Sequence, residues 1–293
     1  MSLFLQQTIN GIATGCIYAS LALALVLIYR STNIVNFAQG EMAVFSTFVA
    51  WQLTEYGLPI WLAIAVTLAL SFTAGVVIER TVIRPVENAP VLTVVIVTLG
   101  LLLVFNQGAG WVWDFLVKRF PSPFPSNTIQ AGDVQVPLYS LGVVAVLAVT
   151  VVLLYGLFQY TKVGLAMRAA AANPESSRLV GINVGRMLML GWGLAAMLGA
   201  LSGVMVAPKL FLEPNMMLGV QIYAFAAATL GGFDSPVGAV IGGIVVGVAE
   251  NLAGTYVDFI GSDLKITVPL VIIFAVLMAK PTGLFGKQVV ARV

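Results

Sequence analysis

Apolar residues run almost unbroken along this 293-residue chain, and its sparse polar positions divide it into segments. A helix that crosses a bilayer needs about 20 mostly apolar residues, because the hydrocarbon core is roughly 30 Å thick and each residue rises about 1.5 Å. The stretches 5–29, 60–79, 91–110, 138–158, 187–207 and 237–256 meet that length. Three more, 42–53, 216–231 and 266–280, are apolar but shorter. The pattern predicts an all-α, polytopic membrane helix bundle of eight to ten transmembrane helices, nine favoured, some of them short and broken. It predicts a single transmembrane domain over 1–293, with a long cytoplasmic connection at 161–186 and an extracytoplasmic loop at 111–137.

Composition supports that reading and removes other classes. Hydrophobic residues make up 60% of the chain, charged residues 9%, and the mean hydropathy is +1.02. A soluble domain carries about 25% charged residues, so this chain lacks the means to cover a soluble surface. A formal net charge of +2 gives no electrostatic footprint for nucleic acid. Histidine is absent, which removes His-based acid–base catalysis and His ligation of metal. One cysteine, Cys16, supports neither a disulfide framework nor a Cys metal cluster. The start "MSLFLQQTINGIATG" has no Lys or Arg ahead of its apolar run, unlike a secretory signal peptide.

Basic residues orient the segments. With 161–186 on the cytoplasmic side, nine alternating spans place Arg30, Arg80, Arg84, Lys162, Arg168, Arg178, Arg186, Lys280, Lys287 and Arg292 inside. Lys118, Arg119, Lys209 and Lys265 fall outside. Ten against four follows the positive-inside bias, and it puts the N-terminus outside and the C-terminus inside.

Small residues recur at helical spacing. Gly191, Ala195, Gly199, Gly203 and Ala207 line one face, as do Gly11, Gly15 and Ala19, and Gly238–Gly242 and Gly243–Gly247 form two GxxxG pairs. Such faces let membrane helices approach closely. They imply a tight bundle and identify no substrate.

Two polar interruptions stand out. "NIVNFAQGEMAVF" (33–45) gathers Asn36, Gln39 and Glu41 before a short helix of about 18 Å, too short for a full crossing. A hairpin loop with Asn36 as cap and Glu41 against the helix dipole accounts for it. So does a break at membrane depth that borders a translocation path, as broken helices do in transporters. We favour the second, with Asn36, Gln39 and Glu41 as pathway residues. "VAPKLFLEPNMMLGVQIYAFAAATLGG" (206–232) repeats the order of helix, polar break and short helix on the opposite side, consistent with an inverted repeat and equally with chance. Glu250, beside Asn251 inside 237–256, is an intramembrane carboxylate and so another pathway candidate. A structural hydrogen bond is the favoured reading for Glu250, and for Asn106 and Gln107.

"TKVGLAMRAAAANPESSRLVGINVGR" (161–186) carries helix punctuation. Asn173 is a good N-cap, Pro174 suits the first helical position, Glu175 meets the positive end of the dipole, and Gly181 can close the helix. A short helix over about 174–180 follows. The run "GLAMRAAAANPESSRLVGINVGR" resembles the cytoplasmic signature of ABC importer permeases, specifically the branched-chain amino acid (LivH-type) family. "INGIATGCIYASLALALVLIY", "VNFAQGEMAVFSTFVAW" and "LGGFDSPVGAVIGGIVVGVAEN" resemble the same family in the same order, so the likeness covers nearly all the chain. Asp234-Ser235-Pro236 departs from the family's glycine-rich turn, and 111–137 is individual.

That resemblance implies a transport subunit and not an enzyme, with Pro174, Glu175, Arg178, Leu179, Gly181, Ile182 and Asn183 docking an ATPase. It implies a second, homologous or identical permease, two cytoplasmic ATPase subunits that bind the ATP, an extracytoplasmic substrate-binding protein, and the cytoplasmic membrane of a bacterium or archaeon. No cofactor is expected on this chain. The residues agree in lacking any G-x-x-x-x-G-K-[ST] motif, since Gly286-Lys287 is followed by Gln288. A self-sufficient carrier or channel for an amino acid or a urea-like amide is the alternative. Ion coupling would favour more charges deep in the spans than the chain contains. An intramembrane enzyme lacks a His–Ser pair, a metal set or an Asp dyad.

Overall fold

The computed structural model describes residues 2–131, 134–261 and 264–286, and among these the chain forms eleven α-helices and one small hairpin. The helices are α1 (Ser2–Thr32), α2 (Gln39–Glu55), α3 (Ile60–Ile78), α4 (Val91–Trp113), α5 (Leu138–Tyr160), α6 (Lys162–Ala172), α7 (Pro174–Leu179), α8 (Val184–Leu210), α9 (Met217–Gly231), α10 (Pro236–Tyr256) and α11 (Thr267–Ala279). Prolines mark several starts, because a first-turn residue has no N–H partner to lose. Pro59 and Pro90 precede α3 and α4, and Pro236 opens α10 where the Ser235 hydroxyl accepts from Gly238 N–H at 3.0 Å.

The six runs of full spanning length in the sequence are the six helices long and apolar enough to cross a membrane: α1, α3 with its extension to Val86, α4, α5, α8 and α10. The three shorter runs form α2, α9 and α11, with 17, 15 and 13 residues. At about 1.5 Å per residue these fall short of the hydrocarbon thickness, so six helices are long enough to cross unaided and the count of nine is not confirmed. The chain is a multi-pass membrane protein. Lys287 and Arg292, counted above as inside charges, lie outside the described residues.

Two local differences have plain causes. The loop expected from 111 starts after Trp113 and holds an antiparallel hairpin, β1 (Thr128–Ala131) with β2 (Val134–Pro137), in the register Thr128↔Pro137 and Ile129↔Val136. The alternation in "TIQ" and "VQV" is short but has the period of a strand. In the connection 161–186, Ala169–Ala172 do not continue into α7. They end a separate helix, α6, because the residue before a proline is pushed out of the helical region, and Asn173 sits at φ −153°, ψ 98°.

The chain divides into two compact units. One combines the chain up to Val26, Phe124–Val144 and the chain from Gly219 onward. Here α1 and α10 meet through glycines: a Cβ at Gly15 would lie 2.6 Å from the Gly243 carbonyl oxygen, and one at Gly11 would lie 2.7 Å from Val248 Cα. The other unit combines Leu27–Pro123 and Ala145–Leu218 and is centred on α8, which packs on α2 and α3. Gly199 faces the Gln39 amide and Gly203 faces Thr47, while Gly193 lies against Phe72. The small-residue stripe read from the sequence is therefore the seat for α2.

Candidate functional sites

The first site begins with α7. Asn173 caps it, its side chain accepting from Ser176 N–H at 2.9 Å, and Gly181 ends it at φ +83°, a left-handed conformation that costs other residues more. Six residues cannot form a stable helix alone, so the caps and the anchors on both sides hold it. Ser177 is buried beneath it, and Ile182 N–H donates to Ser177 O at 3.0 Å. Arg84 braces the far side: its Nη2 donates to Gly185 O at 2.9 Å and to Glu79 Oε2 at 2.9 Å.

Among the residues expected to dock a partner, Pro174, Glu175, Arg178, Leu179, Gly181 and Asn183 are exposed and Ile182 is half-buried. Leu179 is 88% exposed and its neighbour Val180 is 76% exposed. Val180, absent from the residues expected to dock, is the second bare aliphatic side chain on this turn. Asn183 acts locally, capping α8 by accepting from Arg186 N–H at 3.0 Å. Two adjacent bare aliphatic side chains on a rigid, capped turn, with Glu175 and Arg178 beside them, have the make-up of a docking knob.

The second site is the break between α1 and α2. Asn33 takes a left-handed φ of +55°, tolerable for asparagine, and Asn36 Oδ1 accepts from Ala38 N–H at 3.0 Å to turn the chain. α2 then begins at Gln39, three residues earlier than its apolar run, so Gln39 and Glu41 belong to its first turn. Gln39 Nε2 donates to Ala195 O at 2.9 Å. Ala195 is eleven residues into α8, about 16 Å along its axis. The break therefore lies level with the middle of a helix of spanning length.

Asn36, Gln39 and Glu41 are fully enclosed by protein. Asn36 Nδ2 donates to Gln39 Oε1 at 3.1 Å, completing a chain from the break to α8. Glu41 Oε2 accepts from Asn106 Nδ2 at 3.1 Å, and that same amide lies 3.1 Å from Pro214 O and 3.0 Å from Asn215 Oδ1. Glu41 Oε1 has no hydrogen-bond partner among the described residues. Asn106 thus joins α2 to the second interruption, 211–216, where Phe211 also takes a positive φ of +63°. Both breaks are six residues long, open on a left-handed residue and lead into a short helix. In this arrangement these side chains form a buried polar joint. Lone polar residues in a sequence do not reveal which of them converge in space.

Glu250 belongs to the other unit. It is buried, and Tyr18 Oη donates to its Oε2 at 2.7 Å, while the Tyr18 ring stacks on Tyr223 at 4.6 Å. This bond ties α1 to α10.

Long apolar helices interrupted by polar breaks enclosed in protein are a feature of transport permeases. Residues 7–279 match the family described as branched-chain amino acid transport system / permease component, and the chain belongs to that family. It is 28% identical over 309 residues to the high-affinity branched-chain amino acid transport system permease protein LivH of Salmonella typhimurium, covering 99% of this chain and 98% of that one. It is 27% identical over 304 residues to the corresponding protein BraD of Pseudomonas aeruginosa, again over 99% and 98%. A more distant relative is the galactose/methyl galactoside import permease protein MglC of Escherichia coli, 27% identical over 230 residues, 75% of this chain and 66% of that one.

Proposed function

We propose that this chain is the permease subunit of an ATP-binding-cassette importer and forms half of a translocation pathway for branched-chain amino acids or a related small polar solute. The observation that carries this reading is the family match over residues 7–279, nearly the whole chain. α7 supports it, because a permease without a nucleotide-binding motif needs a surface that receives work from elsewhere. In this reading Leu179 and Val180 enter a cleft of a cytoplasmic ATPase, Pro174, Glu175, Arg178, Ile182 and Gly181 shape the contact, and Asn183 fixes its base. A second permease, two ATPases that bind the ATP, and an extracytoplasmic binding protein complete the transporter in a bacterial or archaeal cytoplasmic membrane.

The branched-chain relatives align over almost all of this chain, the sugar relative over three quarters of it. That difference favours an amino acid as cargo. Asn36, Gln39, Glu41 and Glu250 serve the pathway by fixing the helices that border it. The test is uptake by vesicles holding the complete transporter: labelled leucine should enter and be competed by isoleucine and valine, with galactose inert. Competition by galactose alone would remove the amino-acid assignment.

The orientation makes a separate prediction. Ser176 and Lys209 are both exposed, and the native Cys16 is buried, so background labelling is low. In intact cells Lys209→Cys should react with an impermeant maleimide and Ser176→Cys should react only after lysis. Labelling of Ser176→Cys from outside would reverse the topology.

A further inference from the structure

A small open cleft of about 30 Å³ lies at the C-terminal end of α1, and its lining is divided by chemistry. Arg30 and Arg168 contribute two guanidinium groups, one from the last turn of α1 and one from α6. Leu27, Phe158 and Met167 contribute an apolar wall, and no carboxylate among the described residues lines the cleft. Arg168 Nε is buried and makes no hydrogen bond among the described residues, while Nη1 reaches Gln159 Oε1 only at 3.4 Å. A buried charged donor left without an acceptor calls for one from outside the chain. Phe158 stands near the end of α5, whose residues Val149, Val152, Leu153 and Tyr155 are bare along the helix. Such a surface, on a spanning helix, faces lipid.

We propose that this cleft seats the phosphate of an anionic phospholipid. Arg30 and Arg168 hold the phosphate oxygens, and the acyl chains continue over Phe158 and the exposed face of α5. The apolar wall selects a lipid over free phosphate, because inorganic phosphate gains nothing from Leu27, Phe158 and Met167. The orientation proposed above, on which this inference rests, puts the cleft at the cytoplasmic leaflet, where basic pockets between membrane helices take anionic headgroups. Arg168 lies five residues before Asn173, so the lipid would bear on the segment that carries α7.

The test is native mass spectrometry of the complete transporter, extracted from vesicles of phosphatidylcholine with phosphatidylglycerol. The wild-type protein should retain phosphatidylglycerol in the presence of millimolar inorganic phosphate. Arg30→Gln with Arg168→Gln should bind it about thirty-fold more weakly, and Arg30→Lys with Arg168→Lys should keep most of the binding. Equal retention by the double glutamine variant, or displacement by inorganic phosphate, overturns the proposal. Loss of the ATPase subunits from that variant with lipid retention unchanged also overturns it, and assigns the cleft to an acidic side chain of a protein partner. If no complex assembles, the same measurement on this chain alone decides the lipid question separately.

Discussion

Leu179→Asp should separate this subunit from its ATPase, and Val180→Asp should do the same. These adjacent side chains are almost entirely bare, so neither substitution disturbs the fold of the subunit itself. In an apolar cleft each would bury a carboxylate without a partner, a penalty of about 3 kcal/mol or more, equivalent to a loss of affinity above a hundred-fold. Arg178→Ala removes a charge from a wet rim and should weaken assembly no more than a few-fold. The check is co-purification of the ATPase with tagged permease, together with ATP hydrolysis stimulated by loaded binding protein. Stable complexes from both aspartate variants would show that α7 is only a connector.

Asn106→Leu should be the most damaging substitution away from α7. It strips the Glu41 carboxyl group of its one hydrogen bond among the described residues and leaves Pro214 O and Asn215 Oδ1 without the amide they share. Leaving a buried hydrogen-bonding group without its partner costs about 1–3 kcal/mol, more where that group is charged. Removing both partners costs less than removing one. The double variant Asn106→Leu/Glu41→Leu should therefore unfold in detergent at a higher temperature than Asn106→Leu alone. Equal unfolding temperatures for wild type and Asn106→Leu would mean the joint carries no weight.

The long spans were readable because twenty apolar residues in a row have one membrane structure open to them. The caps of α7 were readable because Asn-Pro at the start and glycine at the end act within a few residues of themselves. What escaped depends on distance along the chain. Asn106 reads as a stray amide until the fold brings it to Glu41, 65 residues away, and to Pro214 and Asn215 beyond. The start of α2 escaped for a different reason: Gln39, Gly40 and Glu41 look like loop residues, yet the fold gives Gln39 and Glu41 partners on other helices. Val180 escaped because its exposure follows from the turn at Gly181, which hydrophobicity along the chain does not reveal.

Transport through this chain, as proposed, is driven by ATP on partner subunits. The decisive experiment is uptake of labelled leucine by vesicles that contain this permease, its partner permease, the two ATPases and the binding protein, with ATP on the ATPase side. Accumulation should require ATP and loaded binding protein, stop when the ATPases are left out, and ignore dissipation of ion gradients. Accumulation by this chain without ATPases, driven by a proton or sodium gradient, would contradict an ATP-driven importer and identify a self-sufficient carrier.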